Sequence, residues 1–234
     1  MGVRYNKITG KHQREIVLLK SFPCRYGKCS FCNYIEDNST DEKEIDSVNL
    51  EVLKEITGEF GVLEVINSGS VFELTPNTMA EIKKIVKEKN IKILYFEIYY
   101  GYIKRLEEIR KYFDDIEIRF RMGMETFDDD FRIDVYNKNF HTGENILNLL
   151  GKELYSVCLL VCTKGQTKEM IDKDIESGLK YFKNITINIF IDNGTKVKRD
   201  NELVKWFVKK YSHLMEDDRV ELLIDNKDLG VFEQ

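Results

Sequence analysis

Short apolar runs alternate with longer segments of helical period along almost the whole chain. Residues 16–20, 63–67, 93–97, 116–122, 156–162, 185–191 and 220–224 have the length and the β-branched or aromatic content of buried strands. Between them, helical patterning predicts helices over 48–60, 78–89, 101–113, 128–150, 169–182 and 202–215. The fourth is expected to break, because 137–144 is polar and contains Gly143. Strands that alternate with helices pair in parallel, since each helix carries the chain back along the sheet. The pattern predicts an α/β fold, a partial (β/α)6-type TIM barrel with a short extra C-terminal strand. A complete eight-stranded barrel would need a further unit or two. No Pro- or Gly-rich linker interrupts the series, and only two prolines occur, so 1–234 reads as a single domain. The one long polar stretch, 33–46, is expected to be a loop.

Composition narrows the setting. A hydrophobic fraction of 42% over 234 residues is ordinary for a globular chain and sufficient for a full core. Residues 1–14 are polar and lack the apolar centre of a signal peptide. No apolar run approaches the roughly 20 residues that span a bilayer, so no membrane partner and a cytoplasmic location are expected. The net charge is −5, with 36 basic and 41 acidic residues spread evenly. A surface built to grip phosphate backbones would carry a basic patch or stripe. Lys196 to Arg199 and the pair Lys209 and Lys210 are too short to make one and read as solvated charges. Direct binding of nucleic acid is therefore disfavoured.

Cysteine placement changes the picture most. Cys24, Cys29 and Cys32 lie within SFPCRYGKCSFC, residues 21–32, directly after the first apolar run. In a reducing compartment five cysteines read as ligands or buried thiols, not as disulfides. Three thiolates on one short loop can hold three irons of a four-iron cluster and leave the fourth open for a substrate or cosubstrate. Zinc is the rival. Cys29 and Cys32 have the spacing of a zinc pair, but structural zinc takes four ligands, usually in two close pairs. A fourth would have to come from His12, His141, His213 or a carboxylate. Inert buried thiols are the third reading. Cys158 and Cys162, at even spacing in one apolar run, read as core.

The cysteine loop resembles the cluster-binding loop of radical S-adenosylmethionine (SAM) enzymes, which follows the first strand of a partial barrel. That superfamily usually spaces its cysteines by three and then two residues; here the spacing is four and then two. Phe31, before the third cysteine, matches the aromatic that lies against the cosubstrate adenine. Asn67, Ser68, Gly69, Ser70 and Glu73 stand where the superfamily often has a Gly-Gly-Glu sequence that binds the methionine amino group. The sequence differs, yet strand-end carbonyls and a carboxylate can accept hydrogen bonds from an ammonium. The plain alternative is a polar turn between strand and helix. Glu97 resembles the acidic strand end that meets the ribose or methionine part of the cosubstrate. Gly123, Glu125 and Thr126 form a Gly-x-Glu-Thr sequence similar to the transfer-RNA-modifying branch, which makes Glu125 a cosubstrate candidate. Arg121 or Arg132 could pair with the methionine carboxylate, because a guanidinium fork matches it.

The chain is close to a bare barrel core, without the appended domain that related transfer-RNA enzymes carry, and so suits a small soluble substrate. Residues 18–39 look like the bacterial queuosine-salvage lyases. That resemblance implies release of queuine from queuosine or its 5′-phosphate, by hydrogen abstraction from the ribose with a 5′-deoxyadenosyl radical. It also implies a [4Fe-4S] cluster, S-adenosylmethionine and an electron donor such as flavodoxin or ferredoxin. A proton must reach the departing base, and polar residues at strand C-terminal ends are the candidates in a barrel. Lys20, Asn188, Asp192 and Asp225 fit, each with a plain alternative as a cap or turn residue. Two other functions stay open: a radical enzyme acting on another small metabolite or nucleotide, and a zinc-stabilised nucleotide-binding module.

Overall fold

The computed structural model describes residues 3–224, so Asp225 lies outside the described residues. The chain divides into two compact units, one formed by residues 3–27 and Tyr34–Phe120, the other by Lys28–Asn33 and 121–224.

In the first unit the elements run β1 (Tyr5–Ile8), β2 (Arg14–Leu19), a 3-10 turn (Tyr34–Asp37), α1 (Glu42–Leu53), β3 (Val62–Asn67), α2 (Pro76–Glu88), β4 (Ile93–Ile98) and α3 (Leu106–Tyr112). β2, β3 and β4 pair in parallel, with Leu18 opposite Ile66 and Val65 opposite Phe96. Val17, Leu19, Leu63, Val65, Leu94 and Phe96 are fully buried. Strands covered on both faces are apolar almost without interruption, which is why the pattern marks them so clearly. α2 begins at Pro76, with Thr75 accepting from the Thr78 N–H.

Two features depart from expectation. α1 begins at Glu42, well before residue 48, because Asp41 caps the Lys43 and Glu44 N–H groups. Its first turn faces solvent and so carries no apolar period; Ile45 is its first buried position. The stretch 33–46 is therefore part 3-10 turn and part helix. β1 carries no sequence signal at four half-buried residues. It pairs antiparallel with β2, Tyr5 opposite Val17 and Ile8 opposite Arg14.

The second unit contains the end of β5 (Glu117–Glu125), then α4 (Asp129–Asp134), α5 (Glu144–Glu153), β6 (Ser156–Val161), α6 (Lys168–Tyr181), β7 (Asn184–Ile189), α7 (Asn201–Tyr211) and β8 (Val220–Leu223). Its strands are parallel, with Met122, Val157, Ile185 and Val220 in successive register. The expected helix break falls between α4 and α5. In α6, a Cβ on Gly178 would meet Ile185 Cγ2 at 2.8 Å, so glycine lets the helix settle onto β7. From β2 onward the element order is six strand–helix steps and a short final strand, as the pattern predicts. Among the described residues, no helix is long and apolar enough to cross a membrane.

Glu15 ties the start of β2 to its surroundings. Its carboxylate accepts from Tyr5 Oη at 2.7 Å, Thr57 N at 2.7 Å, Thr57 Oγ1 at 2.9 Å and Gly58 N at 2.7 Å. Glu15→Ala should cost on the order of 3 kcal/mol, since it removes a buried carboxylate together with its four partly buried hydrogen bonds. Chemical denaturation reads this directly; an unchanged midpoint would mean that water replaces the carboxylate.

Candidate active site

In the first unit the polar turn after β3 is built around Glu73. Its carboxylate accepts from Tyr102 Oη at 2.6 Å, Ser70 N at 2.6 Å and Arg25 N at 3.3 Å. Its backbone carbonyl takes the Phe22 N–H at 3.0 Å. Burial pushes the Glu73 carboxyl above the ordinary glutamate value, partly offset by the Tyr102 hydroxyl and the two amides. Burial and the neighbouring Glu73 push the Tyr102 hydroxyl up to about 12. Ser68 donates its N–H to Leu19 O at 3.2 Å and accepts from Ser21 N at 3.2 Å. The Asn38 amide, oriented to satisfy its neighbours, donates to Ser68 Oγ at 2.8 Å and accepts from Cys24 N at 3.1 Å. Gly69 is confined between Glu73 and Ser21, whose oxygens lie 3.1 Å from where a Cβ would stand. Asn67 Nδ2 donates to Ser70 O at 3.0 Å. Asn67 Oδ1 is buried and finds no donor among the described residues.

Asn67, Ser68, Ser70 and Glu73 are thus brought together and buried. Tyr102 completes the group through its bond to Glu73, and no spacing in the sequence marks it. Glu97 sits near the end of β4, half-buried. Lys20 is placed differently: its ammonium pairs with Glu44 at 3.1 Å and Asp37 at 3.7 Å, both in its own unit.

In the second unit, Lys28–Asn33 is pinned along its length. Ser30 donates its N–H to Tyr136 O at 2.9 Å and its hydroxyl to Val135 O at 2.5 Å. Asn137 Nδ2 donates to Lys28 O at 2.7 Å, and Asn193 Nδ2 to Phe31 O at 2.8 Å. The Phe31 ring meets Tyr136 edge-on at 5.3 Å. Cys29 and Cys32 bracket a turn closed by Cys32 N to Cys29 O at 3.3 Å. None of the described cysteines is in a disulfide.

Lys138 lies beside this loop, with Nζ 2.7 Å from Glu125 Oε1 and 5.8 Å from the centre of the Phe31 ring. Burial alone would lower its ammonium; Glu125, Cys29 and Cys32 together outweigh that and hold it well above the ordinary lysine value. Glu125 ends β5 at φ +65°, next to a register shift between Gly123 and Glu125. A bulge and a left-handed residue at a strand end re-aim a side chain, and both cluster at functional sites. Gly123 makes room for the pair, because a Cβ there would meet Glu125 Oε1 at 2.2 Å and Lys138 Nζ at 2.7 Å.

The remaining candidates make the following local contacts. Arg121 donates to Ser156 Oγ at 3.2 Å and Glu221 Oε2 at 3.4 Å, level with the first residue of β6. Arg132 is fully buried; it donates to Thr126 O at 2.6 Å and Phe140 O at 2.8 Å and pairs with Asp129. Asp192 is exposed after β7 and accepts the Arg199 N–H at 2.9 Å. Asn188 is half-buried in β7, opposite Leu160 and Leu223. Cys162 is buried just past β6, its thiol pushed up to about 12 by burial. His141 is exposed.

Against this geometry, no family model and no curated protein sequence matches the chain. Solved structures do. A queuine lyase from Clostridium spiroforme, bound to SAM and queuine, superimposes with a TM-score of 0.94 and 49% identity, covering 98% of this chain and all of that one. The chain belongs to the queuine lyase family. The likeness shows the fold class that the pattern predicts, the partial (β/α) barrel of the radical SAM core. Streptococcus suis SuiB bound to S-adenosylmethionine matches in fold alone, with a TM-score of 0.53 and 10% identity over 88% of this chain and 46% of that one.

The groups that this family implies are an iron–sulfur cluster and S-adenosylmethionine, and the residues present suit them. Cys24 in the first unit and Cys29 and Cys32 in the second are each free and half-exposed. Among the described residues, no three His, Cys, Asp or Glu side chains converge on a point where one ion would sit. A four-iron cluster asks for no such convergence, since each sulfur binds a different iron. The undonated Asn67 Oδ1 beside Glu73 is the kind of acceptor that an ammonium satisfies.

Asp174 supports the bulged end of β5 from α6. It accepts from Phe127 N at 2.6 Å and Thr126 Oγ1 at 3.0 Å, while Oδ2 finds no donor among the described residues. Burial pushes its carboxyl up to about 7. A raised folded-state value means that the native protein holds a proton which the unfolded chain has released, so stability falls as pH rises from about 4 to 7. Asp174→Asn should remove this loss. Relative to the variant, the wild type should lose about 1.4 kcal/mol per pH unit across that window. Denaturation at several pH values tests it, and a pH-independent difference would assign Asp174 no titration there.

Proposed function

We propose that this protein is a radical SAM lyase that releases queuine from queuosine or queuosine 5′-phosphate. The full-length match at 49% identity to a queuine lyase carries this reading. When bound, the cluster and S-adenosylmethionine supply the electron and the 5′-deoxyadenosyl radical that abstracts hydrogen from the ribose. Cys24, Cys29 and Cys32 hold the cluster. Phe31 meets the adenine, its backbone carbonyl anchored by Asn193. Asn67, Ser68, Gly69, Ser70 and Glu73 receive the methionine amino group. Tyr102 holds the Glu73 carboxylate in place from the side. Glu97 and Glu125 serve the ribose and methionine parts. Arg121 and Arg132 are weaker candidates for the methionine carboxylate, because each guanidinium is already committed to protein acceptors.

Asp192 remains the best described candidate to deliver a proton to the departing base, since it is exposed at the C-terminal end of β7. Lys20 is held by two carboxylates, and Asp225 lies outside the described residues. The substrate is a small nucleoside or nucleotide, the location cytoplasmic, and the electron donor a flavodoxin or ferredoxin. Nucleic acid is not the direct substrate.

Protein prepared without oxygen should contain about four irons and four sulfides per chain. With S-adenosylmethionine, a reductant and queuosine it should yield 5′-deoxyadenosine and queuine together. Replacing Cys24, Cys29 or Cys32 by Ala should abolish both products. About one zinc and no sulfide would instead favour the nucleotide-binding module. Asp192→Ala should leave 5′-deoxyadenosine formation largely intact and reduce queuine release by about 100-fold or more, the lower end of what a general acid contributes. Unchanged queuine release would take Asp192 out of the mechanism.

A further inference from the structure

We propose that Lys138, braced by Glu125 across Gly123 and lying over the ring of Phe31, is a positioning residue that sets the reduction potential of the cluster held by the Cys29–Cys32 turn. This inference rests on the cluster assignment above. The arrangement is specific. Lys138 Nζ has Glu125 Oε1 at 2.7 Å, and the Phe31 ring centre is 5.8 Å away. Both members of the ion pair are buried. Gly123 leaves no space for a Cβ between them. The bulge and the φ of +65° at Glu125 aim the carboxylate that holds the ammonium there. Phe31, whose ring the ammonium faces, lies inside the turn that the Cys32 N to Cys29 O bond closes.

A buried ion pair is costly to maintain for stability alone and often gives no net stabilisation. One placed beside two thiolates has a further effect. A cluster that gains an electron becomes more negative, and a fixed cation nearby stabilises the reduced form. Hydrogen bonds and charges around the sulfurs are among the factors that tune cluster potentials. Glu125 opposes this action while holding Lys138 in place. The pair therefore acts as a fixed dipole whose positive end is at the cysteine turn. Lys138 itself transfers nothing.

The experiment is an electron-paramagnetic-resonance redox titration of the reconstituted protein, with iron and sulfide content and thermal unfolding measured on the same samples. Wild-type iron and sulfide decide the cluster assignment first and separately. Lys138→Met and the double variant Glu125→Gln/Lys138→Met should shift the midpoint to more negative potential. Glu125→Gln should shift it to more positive potential, and Lys138→Arg, which keeps the charge, should stay near wild type. The double variant replaces the pair by neutral groups of similar size and guards against a fold lost to one unpaired charge. Wild-type potential in both Lys138 variants, or a Glu125→Gln potential that fails to rise, overturns the proposal. So does a change in melting temperature or in S-adenosylmethionine affinity with no change in potential.

Discussion

Parallel pairing within each unit is the constraint on which the other features rest. Parallel strands covered on both faces leave no solvent for the polar groups they carry. Each such group needs a partner of its own, or a ligand. Arg14 pairs with Glu64, Arg121 with Ser156 and Glu221, and Lys138 with Glu125. Asn67 Oδ1, buried at the end of β3, is one of the few that find no donor among the described residues. Parallel pairing also turns the C-terminal ends of a unit's strands the same way, so that residues far apart in sequence share one edge. In the first unit this collects Ser21 and Ser68; in the second it collects Glu125, Cys162 and Asp192.

The loop chemistry depends on rigid support from these edges. Side-chain and backbone hydrogen bonds from Tyr136, Asn137 and Asn193 fix Lys28–Asn33 at several points. The turn after β3 is held by one carboxylate with three donors. Such clamps use groups that would otherwise be stranded on burial. Their energetic value lies as much in avoiding unpaired polar atoms as in the bonds themselves. The left-handed Glu125 stores strain that the Thr126–Asp174 contacts and Lys138 hold in place.

Much of the fold was legible before any coordinates. The seven apolar runs are β2 to β8, because a strand buried on both faces must be apolar along its length. β1 was not legible, since four half-buried residues carry too little pattern. Nor was the start of α1, where capping by Asp41 rather than apolar period sets the boundary. Of the candidate site, the cysteine loop stood out by spacing and residue type, and the Asn67–Glu73 turn by its place in the family resemblance. Lys138, Tyr102 and Asp174 did not, for a lone lysine, tyrosine or aspartate in a helix or loop looks like any surface residue.

By itself the sequence determined the order of strands and helices and the thiol loop, because these reside in local pattern and spacing, while the class of chemistry came from the resemblance of that loop to a family. The tertiary structure decided which charges are buried and what they face. Lys138 and Glu125 are thirteen residues apart, and only the bulge in β5 and the space above Gly123 bring them together beside Phe31. Burial and partnership are properties of the packed chain, and they convert an ordinary lysine into a fixed cation at the cysteine turn.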